Sequence, residues 1–161
     1  MPFYRFRIDT PLPVEAAVEG IRAITRDPPT FRESLRLAFR RAESGGRPFL
    51  GAVRGHAFRL RRDVKGRNSF LPMIWGSVQG GPAGTEVSVT MFVHPLVAAF
   101  VLFWLSAVGF GAWGTLLKEQ VSCNSLAGLG MFVAGIAVTL GGFIPEARKA
   151  RRLLEEAVRA R

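Results

Sequence analysis

The chain has 161 residues, a formal net charge of +10, 48% hydrophobic residues and one cysteine, Cys123. A single cysteine excludes an intramolecular disulfide, and therefore a small fold held together by disulfides. The net positive charge indicates an anionic partner, either nucleic acid or lipid headgroups. The position of the basic residues along the chain favours lipid headgroups.

Residues 1–95 predict a small α+β domain. In Phe3–Ile8 the apolar and basic residues alternate, which indicates a strand with one buried side. Apolar residues at helical spacing then predict a helix over Val14–Thr25, which ends before Pro28 and Pro29. Thr30 followed by Glu33 matches a capping box, so we expect a second helix to begin there and to end near Gly45.

From Pro48 onward the pattern changes to the alternation of strands. Residues 49–53 and 56–61 predict either two strands that meet at Gly55 or one strand bent there. Further strands are predicted over Phe70–Gln79 and residues 87–93, joined by a glycine-rich hairpin loop. Pro72 predicts an edge position or a bulge for its strand. We expect a mostly antiparallel sheet of about five strands, with two helices on one face.

Two uncharged apolar segments follow, Leu96–Leu117 and Leu126–Ile144. Each is close to the roughly 20 residues that a helix needs to cross a bilayer. The prediction is a transmembrane hairpin over residues 96–144. The alternative is a pair of buried helices in a soluble protein, but a chain of this length has little protein with which to cover two helices that are apolar on all sides. A cleaved signal peptide is not expected, because the first long apolar run begins near residue 96.

Residues 145–161 predict a basic amphipathic helix that begins at Pro145. It either lies on the headgroups or packs back on the sheet. The positive-inside rule predicts that this tail lies in the cytoplasm. We therefore expect a multi-pass protein of the inner membrane with both termini in the cytoplasm. Four residues are predicted to lie at the anionic headgroups: Arg148, Lys149, Arg151 and Arg152. Since a membrane surface explains the basic charge, nucleic acid is not expected as a partner.

Small residues recur four apart within the two apolar segments. Ala107 and Gly111 lie in the first, and Gly130 and Ala134 in the second. Such spacing lets helices approach closely in lipid. We expect these residues to pack the hairpin against itself, and the alternative is contact between copies of the chain or with another protein.

The sequence contains no recognisable catalytic set. His56 and His94 have no metal-binding partner at a known spacing, and no nucleotide-binding motif is present. No metal, cofactor or enzymatic activity is therefore expected.

One local motif stands out, Arg67-Asn68-Ser69-Phe70-Leu71-Pro72, which leads to Gly84-Thr85. Here the chain, over roughly Phe49–Trp104, resembles a group of uncharacterised small bacterial membrane proteins. The resemblance implies a two-helix anchor and no particular activity. Arg67, Asn68 and Ser69 either form a turn or bind a headgroup or another ligand. The leading hypothesis is a non-enzymatic accessory or interaction subunit of the inner membrane; the alternative is a lipid- or ligand-binding module at the membrane surface.

Overall fold

A computed structural model describes residues 3–27, 46–64, 68–82, 84–116 and 123–159. The fold is α+β. The elements in chain order are β1 (Phe3–Thr10), α1 (Val14–Ala23), β2 (Thr25–Arg26), β3 (Phe49–Arg54), β4 (Ala57–Arg62), β5 (Met73–Gly81), β6 (Gly84–Phe92), α2 (Pro95–Leu116) and α3 (Cys123–Arg159). The helix predicted to begin at Thr30 lies outside the described residues.

The six strands form one sheet in the order β1-β6-β5-β4-β3-β2. All neighbouring pairs are antiparallel except the short β2, which runs parallel to β3. The mostly antiparallel sheet is confirmed, with six strands rather than about five. β3 and β4 are two strands joined at Gly55, whose φ of 55° lies in the region that favours glycine in tight turns.

The prediction that Pro72 marks an edge strand or a bulge is wrong. β5 begins at Met73, one residue later, and lies between β4 and β6 in the interior of the sheet. Proline is excluded from an interior strand because it has no N–H for the ladder, and Pro72 avoids that cost by lying just before the strand.

One face of the sheet is buried beneath α1 and the second half of α3. The sheet contributes these buried side chains: Phe6, Ile8, Phe49, Phe58, Leu60, Ile74, Val78, Val87, Val89 and Met91. From α1 come Ala17 and Ile21, and from α3 come Ala147, Ala150, Leu154 and Val158. Of the two positions predicted for the tail, the structure shows packing against the sheet. The core therefore combines residues that precede α2 with residues of α3 from Phe143 onward.

The predicted helix start at Pro145 is also corrected, because α3 continues through this residue. Proline inside a helix lacks an N–H and leaves the carbonyl four residues earlier, that of Gly141, without its usual donor. The helix continues because both sides of Pro145 are held by packing: Phe143 and Ala147 are each 3% exposed.

The first half of α3 packs antiparallel against α2, and we call these two segments the helical pair. A Cβ placed on Gly128 would lie 3.4 Å from the Cβ of Ala112, and one on Gly109 would lie 3.3 Å from the ring of Phe132. Gly135 lies directly against the ring of Trp104. Both helices are long and apolar enough to cross a membrane, and only 6% and 11% of their apolar windows are buried within the chain.

Candidate functional site

The face of the sheet opposite the core is exposed and strongly basic. Strand alternation places six exposed arginines there, and we call this surface, together with Trp75, the arginine face: Arg5 and Arg7 on β1, Arg26 on β2, Arg54 on β3, and Arg59 and Arg61 on β4. Trp75, on β5, is 43% exposed at the centre. This concentration of charge arises because alternate residues of a strand point to the same side of the sheet.

Strand register arranges these side chains in rows. One row across the sheet contains Arg5, Thr90, Trp75 and Arg59, and the next contains Arg7, Ser88, Ser77 and Ala57. Neighbouring strands are about 4.8 Å apart, so the arginines of β1 and β4 form two columns roughly 14 Å apart. A strip of aromatic and hydroxyl side chains lies between the columns.

Stacking organises the centre of the arginine face. The guanidinium carbon of Arg59 lies 4.7 Å from the centroid of the Trp75 ring, in a cation–π contact. Phe92 meets the same indole edge-on, with ring centroids 5.0 Å apart. The indole is therefore held between Arg59 and Phe92, although part of it faces solvent.

Asp9, Glu86 and Gln79 form the row beyond Arg7, and two of these three side chains are carboxylates. Glu86 pairs with Arg7 at 3.2 Å. Within the part of the chain that the structure describes, Arg5, Arg59 and Arg61 form no ion pair. These three guanidinium groups thus carry charge that no described carboxylate neutralises.

Of the predicted Arg67-Asn68-Ser69 site, Asn68 lies on the other side of the molecule, beside α3. Asn68 Oδ1 accepts a hydrogen bond from the Phe70 N–H at 2.9 Å, and its amide donates to the Gly142 carbonyl at 3.4 Å. Ser69 is exposed, and Arg67 lies outside the described residues. Asn68 therefore closes a turn and ties it to α3, the structural role that the sequence offered as one alternative.

A second contact between the sheet and α3 is the ion pair of Arg62 and Glu146. Arg62 Nη1 lies 2.5 Å from Glu146 Oε2, and the two side chains are only 15% and 17% exposed. Arg62 Nε is buried without a hydrogen-bond partner. This pair fixes α3 to the end of β4 one residue after Pro145.

The predicted headgroup-binding residues differ in their surroundings. Arg148, Lys149 and Arg152 are exposed. Arg151 is half-buried: it donates to Glu155 Oε1 at 2.7 Å and to the Tyr4 hydroxyl at 2.6 Å. The hydrogen bond to Glu155, followed by that to Tyr4, raises the pKa of Arg151 above its ordinary value. Arg151 is thus committed to holding α3 on β1, whereas Arg148 and Arg152 present their charge to solvent.

An apolar cleft opens beside Arg148, between the start of β1 and the middle of α3. It has a volume of about 340 Å³ and is lined by Phe3, Tyr4, Leu140, Phe143, Ile144, Ala147 and Arg148. Phe3 is 61% exposed at its rim. The cleft has an apolar floor and a cation at one end, where the uncharged run of α3 gives way to basic residues.

The residues predicted to pack the hairpin lie elsewhere on the helical pair. Ala107, Gly111, Gly130 and Ala134 are all exposed, and a Cβ on Gly111 or Gly130 would meet nothing within 4 Å. The contact is formed instead by Gly109 and Ala112 on α2 and by Gly128 and Gly135 on α3. Contact with another copy or another protein stays a prediction for the four exposed residues.

The two histidines occupy unrelated places. His94 Nδ1 accepts a 3.3 Å hydrogen bond from the Leu96 N–H at the start of α2, and His56 is exposed in the turn between β3 and β4. Over the described ranges, no group of three or more His, Cys, Asp or Glu side chains is placed to hold a metal ion.

The arginine face is not evident from the sequence alone, although each strand displays the alternation that creates it. Arg5 and Arg7 were recognised as the polar side of one strand, and Arg59 and Arg61 occupy the same position in another. Pairing these strands through β5 and β6 is the step that brings the charges together. Comparison with known proteins gives no match, whether to family models, to curated proteins or to solved structures.

Proposed function

We propose that the chain is an integral inner-membrane protein, in which the helical pair crosses the bilayer as a hairpin and both termini are cytoplasmic. The observation that carries this proposal is the exposed apolar surface of the helical pair. Large side chains face outward around it, among them Leu96, Phe100, Phe103, Phe110, Trp113, Leu126, Val133 and Val138. Exposing this apolar surface to water would cost free energy, and surrounding it with lipid removes that cost.

The single cysteine provides a direct test of this topology. Cys123 is the first residue of α3, so the proposal places it on the outer side of the membrane. A membrane-impermeant maleimide should label Cys123 in intact cells and leave it unlabelled in sealed inside-out vesicles. The matched control is Cys123→Ser combined with Ser69→Cys, which should reverse the pattern. Equal labelling from both sides of sealed membranes would contradict the topology.

Within this membrane setting, the role that fits best is a non-enzymatic interaction subunit. Its support is the arginine face, a broad surface whose guanidinium groups of Arg5, Arg59 and Arg61 have no carboxylate partner among the described residues. Purification in mild detergent should recover a second protein in a fixed ratio, and tagging that protein should recover this chain in return. Recovery of this chain as a monomer, without a second protein, would contradict the role.

A second candidate function, lipid binding at the membrane surface, is favoured by the cleft beside Arg148. Its apolar floor suits an acyl chain, and the guanidinium of Arg148 suits a phosphate. Native mass spectrometry of the detergent-solubilised chain should show bound anionic phospholipid, with less in Arg148→Gln than in the control Arg159→Gln. Equal lipid retention in the two variants would remove the support for this candidate.

A further inference from the structure

We propose that the arginine face docks an acidic helical segment of another protein. The proposal rests on the proposed role as an interaction subunit and names the chemistry of its partner. Its starting point is charge complementarity: exposed arginines stand in two columns, and Arg5, Arg59 and Arg61 form no ion pair with a described carboxylate.

The spacing of the columns suits a helix. The columns on β1 and β4 are roughly 14 Å apart, and an α-helix with its side chains is about 10–12 Å across. A helix placed along the central strip would contact Trp75 and Thr90 with its lower side. Glutamates on its two flanks would then reach Arg5 on one side and Arg59 and Arg61 on the other.

The composition of the face favours a protein partner over nucleic acid. Every described cation on it is arginine, and Trp75, Phe92 and Met73 supply the apolar contact. Arginine, tryptophan and methionine are enriched in protein interfaces, and lysine is depleted. A platform for single-stranded nucleic acid needs aromatic rings on which bases can stack, and the indole of Trp75 is already stacked against Arg59 and edged by Phe92.

The orientation of the sheet favours a protein partner over lipid headgroups. Three hydrogen bonds join the sheet to successive positions along α3. Arg62 of β4 donates to Glu146, Arg151 donates to Tyr4 of β1, and Thr10 of β1 donates to the Val158 carbonyl. The sheet therefore extends along α3, away from the helical pair. If the helical pair crosses a bilayer, the arginine face runs roughly parallel to the membrane normal and does not lie flat on the lipid headgroups.

Binding of a designed peptide to the full chain tests this proposal. The chain is placed in nanodiscs of neutral phosphatidylcholine, and the probe is a fluorescent helical peptide of about 18 residues, roughly five turns, with glutamates on both flanks. Fluorescence anisotropy should show binding that weakens with salt, and a glutamine version of the peptide should not bind. Arg59→Glu with Arg61→Glu should weaken binding by roughly tenfold or more.

The control is Arg152→Glu with Arg159→Glu, which changes the net charge equally on the opposite side of the sheet and should leave the affinity unchanged. Equal loss in both double variants would overturn the proposal, as would tighter binding of an oligothymidylate of matched charge. Tighter binding to vesicles of anionic lipid would overturn it as well. If a partner still co-purifies with Arg59→Glu and Arg61→Glu, the interaction role stands and the assignment to this face fails.

Discussion

Gly20 determines how closely α1 approaches α3. A Cβ at this position would overlap the carbonyl oxygen of Ala157, which belongs to the backbone and cannot rotate away. Gly20→Leu should therefore lower the free energy of unfolding by about 2 kcal/mol, since overpacking outweighs the roughly 1 kcal/mol gained in helix propensity. Thermal unfolding in detergent measures the effect. Ala16→Leu, one turn earlier on an exposed position of α1, should change stability little; equal losses would contradict this account.

The ion pair of Arg62 and Glu146 offers a second test at the scale of single residues. Glu146→Gln leaves a largely buried guanidinium without its counter-charge, and we expect it to cost about 3 kcal/mol in unfolding free energy. Arg62→Met combined with Glu146→Gln should recover part of that loss, because the unpaired charge has gone. Chemical denaturation of the three variants supplies the values. A double variant less stable than Glu146→Gln alone would argue against the pair's electrostatic role.

Among the structural elements, the helical pair is held by close contacts at glycine. Gly135→Leu should separate α2 from α3, since its side chain would enter the space of the Trp104 ring. Gly130→Leu, on the open side of the same helix, should leave the thermal stability of the monomer unchanged. Unfolding temperatures of the two variants in one detergent test the difference. If Gly130→Leu proved the more damaging, contact between the two helices would have to be reassigned.

The same elements show which features can be predicted from sequence. β1, β3, β4 and β6 were predicted because one-sided burial leaves an alternating pattern, and Gly55 marked a turn. Pro145 predicts a helix start because the missing N–H of proline costs nothing in the first turn of a helix. Packing on both sides of Pro145 overrides that local preference, and this packing cannot be predicted from the local sequence. The spacing of small residues on the helical pair was equally ambiguous, since glycines occur on more than one side of each helix.

At the scale of the whole molecule, the arginine face cannot be predicted from local sequence patterns. The arginines of β1 and β4 are separated by roughly 50 residues and are brought to one surface only by the order of the sheet. Motif reasoning instead selected Arg67-Asn68-Ser69, because a compact polar stretch is visible in sequence. For Asn68 the structure shows a turn that contacts α3.

Replacing the helical pair should produce a soluble domain. If residues 95–142 are exchanged for a Gly/Ser linker of about 10 residues, Phe143 and both contributions to the core remain, and the linker spans roughly 17 Å. We expect a folded monomer with a cooperative thermal transition, measured by circular dichroism and size exclusion. A version that ends at residue 94 should not fold, because Ala147, Ala150, Leu154 and Val158 are missing from the core. A cooperatively folded short version would contradict the shared core.

The division of the core between the two ends of the chain has a consequence for biosynthesis. A ribosome completes all six strands before it makes Ala147–Val158, and translation at about 5–20 residues per second leaves an interval of several seconds. During that interval α1 alone covers the apolar face of the sheet, and the part of that face that α3 will bury stays exposed. In the proposed topology, the sheet and the helix that completes its core are made before and after the helical pair, so they can join only if both lie on the same side of the membrane.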